Sequence, residues 1–207
     1  MDVKYQVFVS STFEDLQDER RAVIAAILAM GHIPVGMEAF NASDEDQWTN
    51  IKRRIDKADY YVVIVAERYG AEKDDKSYTQ MEYEYAVEKG KPVIAFLHKN
   101  IDALPMQDGE TDPEIRANLH RFRKLAENKL CKHWENGDQL RALVTSSMFQ
   151  LINRSPATGW VRANLVADES AAQEIVRLRR RIEELEEQLK SDGALDIASL
   201  GLKPDEL

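Results

Sequence analysis

The chain has little of what several common classes of protein require. Its 207 residues include one cysteine, Cys131, so no disulfide can form within the chain, and a reducing compartment is favoured. No apolar run approaches the ~18 residues of a membrane-spanning helix. Lysine and arginine total 28 against 37 acidic residues, a net charge of −9. This balance disfavours binding to nucleic acid, because such binding depends on neutralising phosphates.

Two phosphate-binding signatures are also missing. The sequence contains neither GxGxxG nor GxxxxGK[ST], which disfavours standard dinucleotide folds and P-loop enzymes. The four histidines lack the spacing of metal ligands, so we predict no metal site and no resident cofactor. The first residues enter a predicted strand with no signal-peptide pattern, and we therefore expect a cytoplasmic protein.

Strands and helices alternate five times along most of the chain. The predicted strands are residues 5–10, 32–35, 60–65, 92–97 and 129–133. Near-continuous apolar strands that alternate with amphipathic helices indicate a parallel sheet covered on both faces. Five such units and right-handed crossovers favour an α/β, flavodoxin-like fold with strand order 2-1-3-4-5.

Capping signals and a polar segment define the connections between these elements. Ser11 and Glu14 fit a capping box, in which Ser11 is the N-cap of the first helix. Further helix starts are predicted at residues 43–46, at residues 111–113 and at Asp138. Residues 71–77 are predicted to form a polar loop.

Residues 168–190 differ in character from the rest of the chain. Five apolar residues repeat at spacings of 3, 4, 3 and 4, namely Ile175, Leu178, Ile182, Leu185 and Leu189. This pattern predicts a parallel coiled-coil dimer through residues 172–190, with Glu174 facing Arg179 and Arg181 facing Glu186. The alternative is a solvated helix packed on its own domain. We predict an α/β domain over residues 1–165, a coiled-coil helix over 166–192, and a tail or linker over 193–207 within what is plausibly a longer protein.

Glu82 is the candidate catalytic residue. Ligands of parallel sheets bind at the carboxyl ends of the strands, and Glu82 lies near the start of a helix at such a position. A carboxylate there could stabilise an oxocarbenium-like ribosyl centre or attack it as a nucleophile. The alternative is an acidic residue that the helix dipole favours. We expect Glu82→Ala to change stability by no more than about 1 kcal/mol, because a carboxylate in a surface cleft carries little packing.

Other polar and aromatic residues near the strand ends could hold a ligand. The hydroxyl groups of Ser10, Ser11 and Thr12 follow the first strand and could bind phosphate or ribose, with helix capping as the alternative for Ser11. Trp48 and Tyr69 could each stack on a base, with packing in the core or at its boundary as the alternative.

Several motifs resemble one family of uncharacterised domains. Members of this family occur at the N-terminus of NACHT- and repeat-containing proteins and of bacterial multidomain proteins, and the family is similar to TIR domains and nucleoside 2-deoxyribosyltransferases. The resemblance covers roughly residues 4–163. Its motifs are Val7–Leu16 followed by Asp18-Glu19-Arg20, Asp59–Val65 with Tyr69-Gly70, Ser77-x-Thr79-x-x-Glu82-x-x-x-Ala86 before Gly90–Val93, and Gly159-Trp160-Val161.

The resemblance implies a function for these motifs. In TIR domains and deoxyribosyltransferases a glutamate at this helix start acts on the bond between ribose and base, and Glu82 matches it. Ser77 and Thr79 of the same motif are then expected to help bind the ligand. The leading hypothesis is a TIR-like N-glycosidase, an NAD(+) nucleosidase or nucleoside N-glycosidase, that cleaves NAD once assembled and serves bacterial antiviral defence or signalling.

Two alternatives stay open at this stage. One is a non-enzymatic adaptor module that self-associates, and the other is a nucleoside deoxyribosyltransferase-like enzyme. A pocket that exposes Glu82 beside Ser10 or Thr12 would favour an enzyme. A Glu82 that is ion-paired away from any cavity would favour the adaptor.

Overall fold

The computed structural model describes residues 3–36, 47–101, 112–163 and 169–199. The chain divides into two units, residues 2–160 and residues 161–207, which are described separately. The predicted helix start at residues 43–46 lies outside the described residues. The domain boundaries after residues 165 and 192 stay predictions.

The elements of the first unit alternate as expected. In chain order they are β1 (Gln6–Ser10), α1 (Gln17–Ala29), β2 (Ile33–Val35), α2 (Gln47–Lys57), β3 (Tyr60–Val65), β4 (Glu72–Lys73), β5 (Lys76–Ser77), α3 (Tyr78–Glu88), β6 (Val93–His98), α4 (Pro113–Glu127), β7 (Leu130–Trp134) and α5 (Gly137–Arg154). Five strands form one parallel sheet in the order β2-β1-β3-β6-β7. Counting these five strands alone, the order is 2-1-3-4-5, so the predicted flavodoxin-like arrangement is confirmed.

Helices cover both faces of the sheet and bury its apolar residues. Every residue of β3 and β6 is buried, which explains why these strands lack the polar alternation of a half-exposed sheet. One face packs against α1 and α5, and its buried residues include Val7, Val9, Tyr60, Val62, Val23, Ile27, Val144 and Met148. The other face packs against α2, α3 and α4, with Phe8, Tyr61, Val63, Ile51, Ile55, Tyr83 and Phe122. Burial of this kind contributes about 1.5–3 kcal/mol for each large apolar side chain.

Two predicted helix caps are wrong. Helix α1 begins at Gln17, and its N-cap residue Leu16 makes no side-chain capping bond. The Ser11 hydroxyl instead donates to the Thr12 carbonyl and accepts from Arg20, so it is unavailable to cap a helix. Helix α5 is capped by Asn136, whose side chain accepts a hydrogen bond from the Gln139 N–H, and not by Asp138. The predicted start of α4 is confirmed, with Asp112 as N-cap and Pro113 in the first turn.

Residues 71–77 form a short hairpin where the sequence predicted a loop. Strands β4 and β5 pair antiparallel, and Asp74 and Asp75 between them have φ of 53° and 65°. Two consecutive residues with positive φ are what a type I′ turn requires. The glycine that is usual in such a turn is absent here, and the sequence therefore did not predict the turn. The hairpin delivers Ser77 directly to the first turn of α3.

The second unit contains one long helix, α6 (Glu169–Ser199), which continues past the predicted end at residue 192. The five seam residues are 43–73% exposed within the described chain. Glu174 pairs with Arg177, and Arg181 pairs with Glu184, within the same helix. The pairing of this seam with a partner helix stays a prediction. In the part of the chain that is described, no helix has the length and apolar character needed to cross a membrane.

Candidate functional site

A cleft of about 440 Å³ lies among the loops that follow β1 and β3. This is the carboxyl edge of the sheet, where ligands bind in open α/β folds. Its lining residues are Ser11, Thr12, Phe13, Glu14, Asp15, Gln47, Arg68, Gly70, Ala71, Tyr78, Thr79 and Ile115. Three of the predicted site residues, Ser11, Thr12 and Thr79, are therefore brought together in one cavity.

Glu82 lies directly behind the wall of this cleft. Its partner Ser10 precedes Ser11 in the chain, and Thr79 lies three residues before Glu82 on the same face of α3. Ser10 Oγ donates a hydrogen bond of 2.5 Å to Glu82 Oε2, so the predicted proximity of these two residues is present. Among the described residues, Glu82 Oε1 has no hydrogen-bond partner.

The expectation of a surface-exposed Glu82 is wrong. The residue is 1% exposed and is not among the cleft-lining residues. It occupies the same face of α3 as Thr79, Tyr83 and Ala86, all of which are buried. Because α3 packs that face against the sheet, the carboxyl group is held in the interior.

Burial raises the pKa of Glu82 from 4.5 to about 7, although the Ser10 hydroxyl and the Arg20 guanidinium both act to lower it. Near neutral pH the carboxyl group is thus divided between its protonated and ionised forms. Such a group can donate or accept a proton at physiological pH, which is the property that a general acid or base requires.

Arg20 supplies a positive charge in the interior beside this site. It is 2% exposed, and its Nη1 donates to the Val9 carbonyl at 3.3 Å and to Ser11 Oγ at 2.9 Å. Arg20 belongs to a family motif in the sequence, but the motif alone assigned it no role. The spacing of Arg20 along the helix was a signal for its burial, because Arg20 lies on the same buried face of α1 as Val23 and Ile27.

Tyr61 is a further buried polar residue beside Ser10 and Glu82. Its hydroxyl oxygen is buried and has no hydrogen-bond partner within the described chain. Burial raises the pKa of Tyr61 well above 10, the Glu82 carboxylate raises it further, and the Ser10 hydroxyl acts in the opposite direction. Tyr61 lies in a wholly buried strand, and its pattern in the sequence was typical of a core residue only.

Polar side chains of the cleft lining are partly withdrawn from solvent. Thr12 Oγ1 and both carboxyl oxygens of Asp15 are buried. Burial raises the pKa of Asp15, while the Thr12 side chain and Arg68 partly offset this rise. Gly70 has φ of +89°, and a Cβ added to it would lie 2.9 Å from Thr12 Cγ2. The backbone at Gly70 therefore packs directly on Thr12, and a larger residue would displace it.

The remaining predicted ligand-binding residues occupy structural positions. Ser77 caps α3, and its hydroxyl accepts from the Gln80 N–H at 3.2 Å. Tyr69 is 2% exposed and donates to Gln80 Oε1 at 2.7 Å. Trp48 packs edge-to-face against Tyr85, with ring centroids 5.9 Å apart, and does not line the cleft. The ligand-binding roles of these residues stay predictions.

Nine of the twelve cleft-lining residues were not identified as site residues from the sequence, and several of them carry aromatic or charged side chains. Phe13 and Tyr78 present aromatic side chains, Asp15 presents a carboxyl group, and Arg68 forms an ion pair with Glu14 at 2.6 Å. The pair links the loop after β1 with the loop after β3. Such a juxtaposition of distant segments has no signature in a single sequence.

A cleft of about 510 Å³ at the amino ends of β6 and β7 includes Lys91, Lys129 and Arg154 in its lining, and contains none of the predicted site residues. Lys91 Nζ is already bonded to the Asp56 and Ala58 carbonyls at 2.7 Å each.

Within the described ranges, no group of three or more His, Cys, Asp or Glu could hold a metal ion.

Comparison with known proteins places the chain in a family. Residues 6–148 match the family described as "Domain of unknown function (DUF4062)", which is more than half of the chain, so the predicted resemblance to an uncharacterised family is confirmed. No curated protein matches the chain.

Several solved structures are similar to this chain at low sequence identity. The CMP N-glycosidase BcmB of Clostridium botulinum is 17% identical, with a TM-score of 0.41, over 69% of this chain and 98% of that one. The TIR domains of the activated Roq1 resistosome are 17% identical, with a TM-score of 0.41, over 84% and 98%. A prokaryotic SEFIR domain is 16% identical, with a TM-score of 0.43, over 77% and 100%. At these values the likeness concerns the fold alone.

Proposed function

The chain belongs to the DUF4062 family, and we propose that it is a TIR-like N-glycosidase that cleaves NAD, with Glu82 as the catalytic carboxylate. The observation that supports this proposal is the state of Glu82 behind the cleft. It is fully buried, its pKa is raised to about 7, and one of its oxygens lacks a partner. Buried carboxyl groups with shifted pKa values beside a cleft are typical of catalytic sites.

The proposed reaction uses the negative charge of Glu82. The bond between C1′ of the ribose and the nicotinamide nitrogen breaks, and neutral nicotinamide leaves with the bonding electrons. The ionised carboxylate stabilises the oxocarbenium-like centre at C1′. A water oxygen then bonds to C1′, and its proton passes to the Glu82 carboxylate or to solvent. Ser10 orients the carboxyl group through its hydrogen bond to Oε2.

Access to Glu82 requires a movement of the cleft wall. Ser11 and Thr79 line the cleft, whereas Glu82 is only 1% exposed and does not line it. We propose that self-association of the chain opens this wall, so that NAD is cleaved in the assembled state. The protein would then act as an effector in bacterial defence or signalling.

The first prediction concerns NAD turnover. Purified chain at high concentration is expected to release nicotinamide, and Glu82→Gln is expected to slow the release by about 100-fold or more, since it removes the charge while keeping the shape. The measurement is chromatography of the reaction mixture. Glu84→Gln is the matched control, because Glu84 lies on the same helix and forms an ion pair with Lys76.

Two results would contradict the glycosidase proposal. One is equal nicotinamide release by the Glu82 and Glu84 variants. The other is no release by the unmodified chain, even when two copies are forced together by a fused dimerisation domain.

The second prediction concerns self-association through α6. Ile182 at heptad position a and Val176 at position b are 56% and 53% exposed, so a lysine at either site costs the isolated chain little. The unmodified chain is expected to sediment as a dimer, Ile182→Lys as a monomer, and Val176→Lys as a dimer. Sedimentation equilibrium measures the mass. A monomeric unmodified chain, or equal behaviour of the two variants, would contradict dimerisation through the seam.

A non-enzymatic interaction module is the second candidate function. The observation that favours it is the absence of Glu82 from the cleft lining. This candidate predicts dimerisation without nicotinamide release under any condition.

A nucleoside deoxyribosyltransferase-like enzyme is distinguished by transfer of deoxyribose between bases at low chain concentration, because such an enzyme does not depend on assembly.

A further inference from the structure

An ion pair crosses the cleft at the point where the order of the strands reverses. From β1 the chain passes to β2 on one side and then to β3 on the other, and α1 and α3 pack on opposite faces of the sheet. The loops that follow β1 and β3 therefore border the crevice in which open α/β sheets bind their ligands. Glu14 lies in the first of these loops and Arg68 in the second, and their side chains meet at 2.6 Å.

Arg68 is suited to bind an anionic group of a ligand. Among the cleft-lining residues that the structure describes, Arg68 alone carries a positive charge. A guanidinium group presents its N–H donors in a planar fork that matches two oxygens of a phosphate group. The side chain of Arg68 is 22% exposed and that of Glu14 is 74% exposed. Unlike Glu82, this pair is therefore within reach of a molecule in the cleft.

Glu14 is a partner that a ligand can replace. Ion pairs between exposed groups contribute little to stability, because water screens both charges and the side chains lose freedom when they pair. A phosphate group accepts the same two parallel hydrogen bonds from arginine as a carboxylate does. It can therefore take the place of the Glu14 carboxylate on Arg68, while the exposed Glu14 side chain turns into solvent.

The rest of the lining is compatible with a phosphate group. Asp15 is the other acidic residue of the lining, and burial raises its pKa, although the Thr12 side chain and Arg68 act in the opposite direction. The surroundings of Asp15 thus disfavour its negative charge. Tyr78 and Thr79 line the cleft as the first two residues of α3, so the positive end of that helix dipole lies at the same space.

We propose that Arg68 binds the phosphate group of a nucleotide ligand, and that Glu14 holds Arg68 only until the ligand replaces it. The cleft is then specific for phosphorylated ribosides, of which NAD is one example, over free nucleosides. This inference rests on the proposed function, because it assigns the phosphate-binding part of the same site. It also separates this chain from an enzyme that acts on nucleosides.

The test measures binding without turnover, in the chain that carries Glu82→Gln and at the high concentration used for turnover. Calorimetry compares nicotinamide mononucleotide with nicotinamide riboside, which differ only in the phosphate group. NAD and inorganic phosphate are measured beside them. The mononucleotide is expected to bind about 10-fold or more tightly than the riboside, the effect of a hydrogen bond between charged groups. Inorganic phosphate is expected to bind more weakly than the mononucleotide, because it lacks the contacts of the ribose and the base.

Opposite effects are expected from the two members of the ion pair. Adding Arg68→Gln is expected to remove the preference for the mononucleotide and to weaken NAD binding about 10-fold. Arg68→Lys keeps the charge without the planar fork, and an intermediate loss is expected. Glu14→Gln removes the competing carboxylate and is expected to strengthen binding of both nucleotides about 2- to 5-fold. None of these changes is expected to alter binding of nicotinamide riboside.

Arg21 and Asp18 provide matched controls. They form an exposed ion pair on α1 and do not line the cleft. Arg21→Gln and Asp18→Asn make the same changes of charge and are expected to leave the affinities unchanged. Because Glu14 is exposed, Glu14→Gln is expected to fold, and its effect on binding tests the inference even where Arg68→Gln does not fold.

The inference is overturned if the mononucleotide and the riboside bind equally, if Arg68→Gln keeps the preference, or if Glu14→Gln does not strengthen nucleotide binding. It is also overturned if inorganic phosphate binds as tightly as the mononucleotide, or if none of the four ligands binds at millimolar concentration. NAD cleavage by the unmodified chain without a preference for the phosphate group removes this inference and leaves the glycosidase. A preference that depends on Arg68, without NAD cleavage, supports this inference and contradicts the glycosidase.

Discussion

Replacing Glu82 with glutamine is expected to remove a pH-dependent fall in the free energy of unfolding. In the unmodified chain, Glu82 is expected to lower this free energy by about 3 kcal/mol as pH rises from 4.5 to about 7. The pKa of Glu82 is 4.5 in the unfolded chain and about 7 in the folded chain. Between these values the folded state binds more protons than the unfolded state. The free energy of unfolding must therefore fall with rising pH over this window and level off above it.

The variant isolates Glu82 from the other carboxyl groups. Burial also raises the pKa of Asp15 and of Glu67, and these residues contribute a pH dependence of the same sign. They are present in both proteins, so they cancel in the difference between the unmodified chain and Glu82→Gln. Urea denaturation at intervals from pH 4.5 to 8 provides the measurement.

A difference that stays constant across the pH range would contradict a raised pKa. It would then also remove the main support for the catalytic role, because that role rests on the raised pKa of Glu82. This experiment needs no substrate, and its outcome is independent of whether NAD is the molecule that the cleft binds.

Replacing Arg20 with methionine is expected to destabilise the fold by about 3 kcal/mol. Arg20 is 2% exposed, and its loss would leave the Val9 carbonyl and Ser11 Oγ without the guanidinium donor. Methionine keeps the length of the side chain, so the change mainly removes the charge and the hydrogen bonds. The pKa of Glu82 should rise further, because Arg20 acts to lower it.

Arg21→Met is the control for this prediction. Arg21 has an exposed side chain and forms an ion pair with Asp18 one helical turn away, and such surface pairs contribute little. Its replacement should change the free energy of unfolding by no more than about 0.5 kcal/mol. The midpoint of chemical denaturation compares the two variants, and equal effects would show that the interior position of Arg20 does not contribute to stability.

The fold was predictable because its signals are local and repeated. The apolar runs at residues 60–65 and 92–97 needed no partner information to indicate buried parallel strands. The heptad spacing of Ile175 and Ile182 likewise predicted a helix, and that helix is present. One error arose where a local signal competed with a tertiary contact. Ser11 has the sequence pattern of a helix cap, but Arg20 binds its hydroxyl.

The candidate site was predictable only in part. Glu82 and its proximity to Ser10 followed from motifs at the ends of strands that lie side by side in a parallel sheet. The burial of Glu82 did not follow, because it depends on which face of α3 meets the sheet. Asp15 has no distinguishing pattern in the sequence, since its place in the cleft lining depends on segments remote in the chain.

The sequence by itself determined the class of fold, the order of its strands, the family, and the residues at the carboxyl edge of the sheet. Those features depend on hydrophobic periodicity and on motifs that each span a few residues. The tertiary structure decided that Glu82 is enclosed with Ser10, Arg20 and Tyr61, and that Asp15 lines the cleft beside Thr12. These properties depend on the distance and solvent exclusion between segments remote in the chain, and both are set only when the helices pack on the sheet.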